Sequence, residues 1–320
     1  MPKLNMVQAI NLALREEMQR DSSVVLLGED VGKDGGVFRV TEGLLEEFGS
    51  ERIIDTPLAE SGIIGAAIGM AVYGLKPVAE IQFMGFIYPA VDQIFSHASR
   101  IRSRSRGRFT CPMVIRVPYG AGIKAPDLHS ESTEALFCHI PGMKVVVPST
   151  PYNAKGLLIS SIRDPDPVIF LESTRVYRMI KEDVPEGTYT IPLGKARIVQ
   201  EGKDVTVISW GSMLHRSLQA VEGFDVEVID LMTLNPLDEE TILKSVKKTG
   251  RVVIVHEAPK TCGFGAELSA TIAEDAMLYL KAPIIRVTGY DVVMPLPKLE
   301  DYYMPTVERI RKGIQEVMKY

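Results

Sequence analysis

The sequence predicts an α/β protein of two domains, each a mainly parallel sheet flanked by helices. Three observations carry that prediction. Short apolar runs of strand length alternate with helix-length amphipathic segments along the whole chain, as expected of strands buried on both faces by crossover helices. The 320 residues suffice for about two domains. The alternation breaks once, between residues 182 and 190, where Pro185 and Gly187 mark a linker. The domains therefore span residues 1–185 and 186–320, with no internal repeat and no low-complexity stretch.

Taken in order, Met6, Ala9, Ile10, Leu12, Leu14 and Met18 form the apolar face of a first helix. Gln8, Arg15, Glu16 and Glu17 interrupt that face too often for an export signal. Residues 23–28 are a strand ending in Glu29-Asp30, carboxylates placed where a strand end meets a crevice. Gly32, Gly35 and Gly36 follow without GxGxxG or Walker spacing.

Asp55 to Gly62 reads as a strand-to-helix turn, and a helix runs on from Glu60 to Gly74. Its Gly62, Gly65, Ala66, Gly69 and Tyr73 leave one face nearly bare. Each interior glycine disfavours a helix by roughly 0.8–1 kcal/mol, so close approach of a partner helix or a bound ring outweighs propensity here.

Residues 78–83 are the next strand, and Pro89 starts a helix with Val91, Ile94, Phe95, Ala98 and Ile101 on one face. The alternating Arg100, Arg102, Arg104, Arg106 and Arg108 read as a solvated or subunit-facing loop. Strands at 113–117, 144–147 and 168–171 complete the domain, with His129 in the loop after the first and a Ser149-Thr150-Pro151 helix cap after the second. In the second domain, strands fall at 205–209, 226–229, 252–255 and 284–287, with helices after Gly211, Pro236, Gly263 and Pro305.

Composition narrows the function. A net charge of −5 argues against a nucleic-acid binder working by bulk electrostatics. Cys111, Cys138 and Cys262 have neither metal-ligand spacing nor a disulfide framework, which suits a reducing cytoplasm. No apolar run approaches the roughly 18 residues of a membrane span. HExxH, CxxC and GxSxG are all absent, which leaves zinc-protease, dithiol and α/β-hydrolase chemistry without a basis.

Two residues stand out as candidates. Glu60 at a helix start has an ordinary role as an anion on the positive end of the helix dipole. An apolar wall of Leu58, Ile63 and Ile64 would instead desolvate it and make it a proton-sharing group, and spacing leaves both readings open. His129 lies in a polar loop beyond a strand end, where catalytic groups collect. His97 and His215 read as structural and His139 as a packed turn residue. His256-Glu257 closes a strand, where a buried, hydrogen-bonded histidine is at least as good a reading as a site. Phe83, Phe86 and Tyr88 would stack on a flat ligand or belong to the core.

Several segments together resemble one family nearly end to end: the β subunit of the thiamine-diphosphate-dependent decarboxylase component of 2-oxoacid dehydrogenase complexes. They are Leu27-Gly28-Glu29-Asp30-Val31, Asp55 to Gly62, Ile81-Gln82-Phe83, Pro89-Ala90-Val91-Asp92-Gln93, His129-Ser130, Pro141-Gly142, Lys144-Val145-Val146, His256-Glu257-Ala258 and Gly263-Phe264-Gly265-Ala266-Glu267. The resemblance implies a thiamine-diphosphate pyrimidine-binding fold followed by a transketolase C-terminal-like domain. It implies that Glu60 hydrogen-bonds the pyrimidine nitrogen of thiamine diphosphate. Phe86 would stack on the aminopyrimidine, with Leu58 and Gln82 lining the same pocket. His129 would face the reacting centre and assist acyl transfer to a lipoyl arm. This chain has Gly122-Ile123-Lys124 and His129-Ser130-Glu131 where relatives usually carry Gly-His-Gly and His-Ser-Gln.

The family's Gly-Asp-Gly element with paired asparagines, which holds magnesium and the diphosphate, is missing. The resemblance therefore implies an α subunit that supplies it, with no metal ligands here, in an α2β2 heterotetramer with active sites at α/β interfaces. Some relatives add a structural potassium ion. The second domain would pair the β subunits and dock the lipoyl acyltransferase. The implied substrate is a 2-oxo acid, and Ile81-Gln82-Phe83 with Tyr88-Pro89-Ala90 look more like branched-chain than pyruvate enzymes. The alternatives are an acetoin dehydrogenase or other split transketolase-like subunit, and a non-catalytic assembly subunit. Neither nucleic acid nor membrane is an expected partner.

Overall fold

A computed structural model describes residues 1–320. The short strand β1 (Lys3–Leu4) leads into α1 (Met6–Arg20), whose start is fixed by a capping box. The Asn5 side chain accepts from Gln8 N at 3.0 Å, and the Gln8 side chain accepts from Asn5 N at 3.1 Å. Then come β2 (Val24–Gly28), α2 (Leu44–Phe48), β3 (Ile53–Asp55), α3 (Glu60–Tyr73) and β4 (Lys76–Glu80). They are followed by α4 (Ile101–Arg104), β5 (Val114–Tyr119), α5 (Glu134–Cys138), β6 (Lys144–Val146), α6 (Pro151–Arg163) and β7 (Val168–Ser173). α6 begins as its sequence dictates: Thr150 caps Asn153 N, and Pro151 takes the first position.

A two-residue strand β8 (Glu182–Asp183) pairs back on β1 within the expected linker. The second half contains β9 (Arg197–Gln200), β10 (Val205–Ser209), α7 (Ser212–Ala220), β11 (Val226–Asp230), β12 (Thr233–Asn235) and α8 (Glu239–Thr249). It ends with β13 (Val252–Val255), α9 (Phe264–Ala276), β14 (Ile285–Val287), α10 (Glu300–Tyr303) and α11 (Val307–Val317).

Two sheets result. The larger has the order β12-β6-β7-β5-β4-β2-β3 and is parallel except for β12; the smaller has the order β14-β13-β10-β11-β9 and is parallel except for β9. Because β12 comes from the second half of the chain, that half completes the first sheet. The core is shared as well: one apolar cluster runs from Ile63, Ile115 and Ile169 through Trp210 and Ile229 to Ile254 and Leu268. α1 and α6 cover the opposite face of the larger sheet.

The expected regular helix after Pro89 is not formed. Residues Met84–Ala90 make a 3-10 turn with Pro89 inside it, Gln93–His97 a π turn and Ala98–Arg100 a second 3-10 turn. A long-range contact sets this course. Gly85 lies so close to Leu128 that a Cβ there would stand 2.5 Å from the Leu128 carbonyl oxygen, and the first turn tightens to make that approach.

Beneath the carboxyl ends of the strands lies a buried ion triad. Arg116 on β5 is 0% exposed; its Nη1 donates to Glu80 Oε2 on β4 at 2.6 Å, and its Nε and Nη2 donate to the two oxygens of Glu172 on β7 at 2.6 and 2.9 Å. Tyr177 adds its hydroxyl to Glu172 Oε2 at 2.6 Å. Burial pushes the Glu80 carboxyl upward, and the Arg116 guanidinium opposes that. Removing the cation would strand two buried carboxylates. The variant Arg116→Ala is expected to lose about 3–5 kcal/mol of unfolding free energy in urea titrations. A loss below about 1 kcal/mol would show that the triad does not hold the strands.

Candidate active site

The sequence-identified residues gather at one edge of the larger sheet. β2 delivers Glu29 and Asp30, β3 delivers Asp55, α3 opens with Glu60, and β4 delivers Gln82, all at the carboxyl ends of parallel strands. Asp55 ties the glycine loop to this edge, accepting from Gly32 N at 2.6 Å and Lys33 N at 3.0 Å. Gln82 Nε2 donates to Asp30 Oδ2 at 3.0 Å. Glu60 stands near Glu29, whose carboxyl is pushed up first by burial and then by the charge of Glu60. Glu60 itself has no hydrogen-bond or ion-pair partner within the chain.

The Met84–Ala90 turn packs on α3 and brings aromatic rings beside this carboxylate crevice. Phe83 and Phe86 enclose His129, with ring centroids 4.4 and 4.9 Å from the imidazole. Phe38, from the glycine-rich loop, closes the far side against Phe83 at 5.5 Å and Tyr177 at 5.0 Å. Inside this box, His129 Nδ1 is buried and has no partner. The Tyr88 hydroxyl donates to Glu131 Oε2 at 3.1 Å, pinning the His129 loop to the same turn. Burial is the main cause of the upward shift of the Glu131 carboxyl.

Leu58 does not join the group. It is 78% exposed, and Ile63 and Ile64 turn into the core, so the apolar wall expected around Glu60 is not formed by this chain. Helical spacing explains this: Ile63, Ile64, Ala67, Ile68 and Ala71 share the inward face, whereas Gly62, Ala66, Gly69 and Tyr73 look outward. No atom lies within 4 Å of a Cβ built at Gly69, and Tyr73 is 90% exposed. The site is an open edge. Two clefts, of about 560 and 890 Å³, lie elsewhere and include none of Leu58, Glu60, Gln82, Phe86 or His129.

Sequence reasoning missed Phe38, Arg116 and Glu134. Arg116 had a visible signal, a lone cation inside an apolar strand. Glu134 is fully buried beside Glu257 with neither oxygen hydrogen-bonded, and burial pushes it up to about 7. Of the remaining histidines, His97 and His139 are exposed and His215 Nε2 lies 2.7 Å from the Ser149 carbonyl oxygen. His256 is buried as expected but without the expected hydrogen bond. It stacks on Trp210 at 5.4 Å, and both its ring nitrogens lack partners.

Residues 2–180 match the family described as transketolase, pyrimidine binding domain, and residues 194–310 match transketolase, C-terminal domain. The two matches in this order define a two-domain transketolase-type chain. The chain is 52% identical to the pyruvate dehydrogenase E1 component subunit beta of Acholeplasma laidlawii, over 99% of this chain and 98% of the relative. It is 48% identical to the subunit of that name from Bacillus subtilis and 49% to that from Staphylococcus epidermidis, each over the full length of both chains. The chain therefore belongs to the transketolase-like family that contains the pyruvate dehydrogenase E1 β subunits. In fold it matches a solved split-gene transketolase, an inactive β4 tetramer, with a TM-score of 0.81 at 23% identity over 99% of each chain.

His256 makes the stability of the fold depend on pH. Burial, and after it the Arg286 cation, pushes its pKa from 6.5 down to about 4. The unfolded chain takes up this proton at the higher value, so folded stability falls as pH drops from about 6.5 to about 4, by about 3 kcal/mol in all. In urea titrations at pH 7 and pH 4.5, a His256→Asn variant is expected to lose that component of the pH dependence. Parallel losses in the wild type and the variant would contradict it.

Proposed function

We propose that this chain is the β subunit of a thiamine-diphosphate-dependent 2-oxoacid dehydrogenase, active only with an α subunit in an α2β2 assembly. With that partner it catalyses oxidative decarboxylation of a 2-oxo acid and reductive acylation of a lipoyl group on an acyltransferase. One observation carries the reading: two polar groups at the same sheet edge, the Glu60 carboxylate and His129 Nδ1, have no partner in their own chain. His129 Nδ1 is buried, and a buried polar group without a partner is costly, while the Glu60 carboxylate is partly exposed and free to accept a contact, so a ligand or another subunit would complete both.

The residues fit the pyrimidine half of the cofactor. Glu60 offers a free carboxylate for a ring nitrogen, and Phe86 offers a half-buried aromatic face. Gln82 keeps its amide oxygen free while its nitrogen holds Asp30. Leu58 would line the same pocket only once a partner covers it. Bound thiamine diphosphate supplies the electron sink for decarboxylation. Glu60 would share a proton at the ring nitrogen, beside Glu29, whose own carboxyl is pushed up by burial and then by the charge of Glu60. Phe83 and Phe86 pack on the His129 ring and its buried Nδ1, which would hold or move a proton during acyl transfer. Magnesium and the diphosphate belong to the α subunit, since the family's element for them is missing here. A cytoplasmic location suits the three free cysteines.

For the substrate we propose pyruvate, supported by the names of relatives near 50% identity. One extra methylene in an apolar pocket changes kcat/KM by roughly 10–200-fold. The ratio of kcat/KM for pyruvate to that for 3-methyl-2-oxobutanoate is expected to exceed about ten. A ratio below one would favour the branched-chain reading of the Gln82 and Pro89 segments.

Two variants test the residues. Glu60→Gln in the assembled enzyme is expected to leave assembly intact and lower decarboxylation by about 10²–10⁴-fold. Near-normal turnover would remove Glu60 from the mechanism. His129→Ala is expected to damage lipoyl acylation at least about tenfold more than decarboxylation read with an artificial electron acceptor. Equal losses would assign the histidine to an earlier step.

A further inference from the structure

The loop between β5 and α5 carries His129 in the first domain, yet carboxylates of the second domain fasten it. Ala121 N donates to Glu257 Oε2 at 3.0 Å, and the Ser212 hydroxyl donates to the other Glu257 oxygen. Gly120, at φ 78°, allows this approach, since a Cβ there would lie 2.5 Å from Glu257 Oε2. Three residues on, Lys124 N donates to Glu300 Oε2 at 3.1 Å. Arg175 Nη2 donates to Glu300 Oε1 at 3.3 Å, and Lys124 Nζ lies 3.2 Å from Asp301.

Both carboxylates are buried, Glu257 at 3% and Glu300 at 1% exposure, and a charged acceptor roughly doubles the strength of a hydrogen bond. The loop closes on itself at its far end, where Gly120 N donates to the Glu131 carbonyl oxygen at 2.9 Å. His129 therefore sits on a ring of backbone whose root is held by the other domain.

We propose that Glu257 and Glu300 are positioning residues, holding the β5 to α5 loop from the second domain so that His129 stays between Phe83 and Phe86. This gives the His256-Glu257 motif a role that its buried, unpartnered histidine does not supply. It also accounts for Lys124, which takes a left-handed φ of 53° where relatives usually carry glycine. Its backbone and its ammonium are both tied to α10. The proposal rests on the reading of His129 as an acyl-transfer residue. Glu300 bonds to none of the residues in the aromatic box or the carboxylate crevice.

The test compares wild type, Glu300→Ala and Glu300→Gln in the assembly with the α partner, by amide hydrogen exchange and by the two activity assays. In Glu300→Ala, exchange across residues 122–131 is expected to rise about tenfold while β10 stays protected. Lipoyl acylation is expected to fall about tenfold and decarboxylation less than about threefold. Glu300→Gln keeps the acceptor for Lys124 N but loses the charge facing Arg175, so a rise of about threefold is expected, and that variant suffices if the alanine variant does not assemble. Unchanged exchange would overturn the clamp. Raised exchange with undiminished acylation would overturn the positioning role while leaving the contacts intact. Equal losses in both assays for His129→Ala would instead overturn the reading beneath it, without affecting the exchange result.

Discussion

A buried ion triad centred on Arg116 aligns the strands that carry the site. Arg116 joins Glu80 and Glu172 across three neighbouring parallel strands, and each group is at most 4% exposed. A buried ion pair adds little net stability over an apolar replacement, but leaving one member unpaired costs several kcal/mol. A slipped register would do that, so the triad fixes the alignment of β4, β5 and β7. The segments that leave those strands build the site: Gln82 and Phe83 follow Glu80, the His129 loop follows β5, and Tyr177, bonded to Glu172, backs Phe38. The aromatic box is thus aligned from below by charge and from the second domain by carboxylates.

The architecture is complete as a fold and incomplete as a site. Both sheets have filled cores, and the second half of the chain even contributes a strand to the first sheet. The edge that carries Glu60 has no such cover. Leu58, Gly62, Ala66, Gly69 and Tyr73 face outward together, and the free Glu60 carboxylate sits at the head of that face. Interior glycines weaken a helix unless something approaches closely, and at the outward-facing Gly69 nothing in this chain does, whereas Gly65 meets the Gln93 side chain. An α subunit seated there would complete the cofactor site and give the bare face its contact.

Local physics made much of this legible in sequence. The Thr150-Pro151 cap and the strands at 205–209 and 252–255 fall where capping chemistry and apolar runs put them. Several family motifs fall at the carboxyl ends of the strands, and the structure brings Phe86 and His129 into contact there. What escaped depended on distant partners. The tight turn over Met84–Ala90 packs its Gly85 on Leu128, and β12 needs an edge provided by β6. The Glu60 wall failed because residues three and four positions along a helix turn toward the core, which the apolar count alone does not reveal. Arg116 was visible as an isolated charge, but its two carboxylates lie 36 and 56 residues away.

The central claim is that this chain provides half of a shared cofactor site. The most direct test is calorimetric titration of thiamine diphosphate with magnesium into the chain alone, and then into the chain assembled with its α partner. The account expects binding in the assembly and none to the isolated chain. Tight binding to the isolated chain would mean that it holds a complete diphosphate site of its own, and would contradict the account.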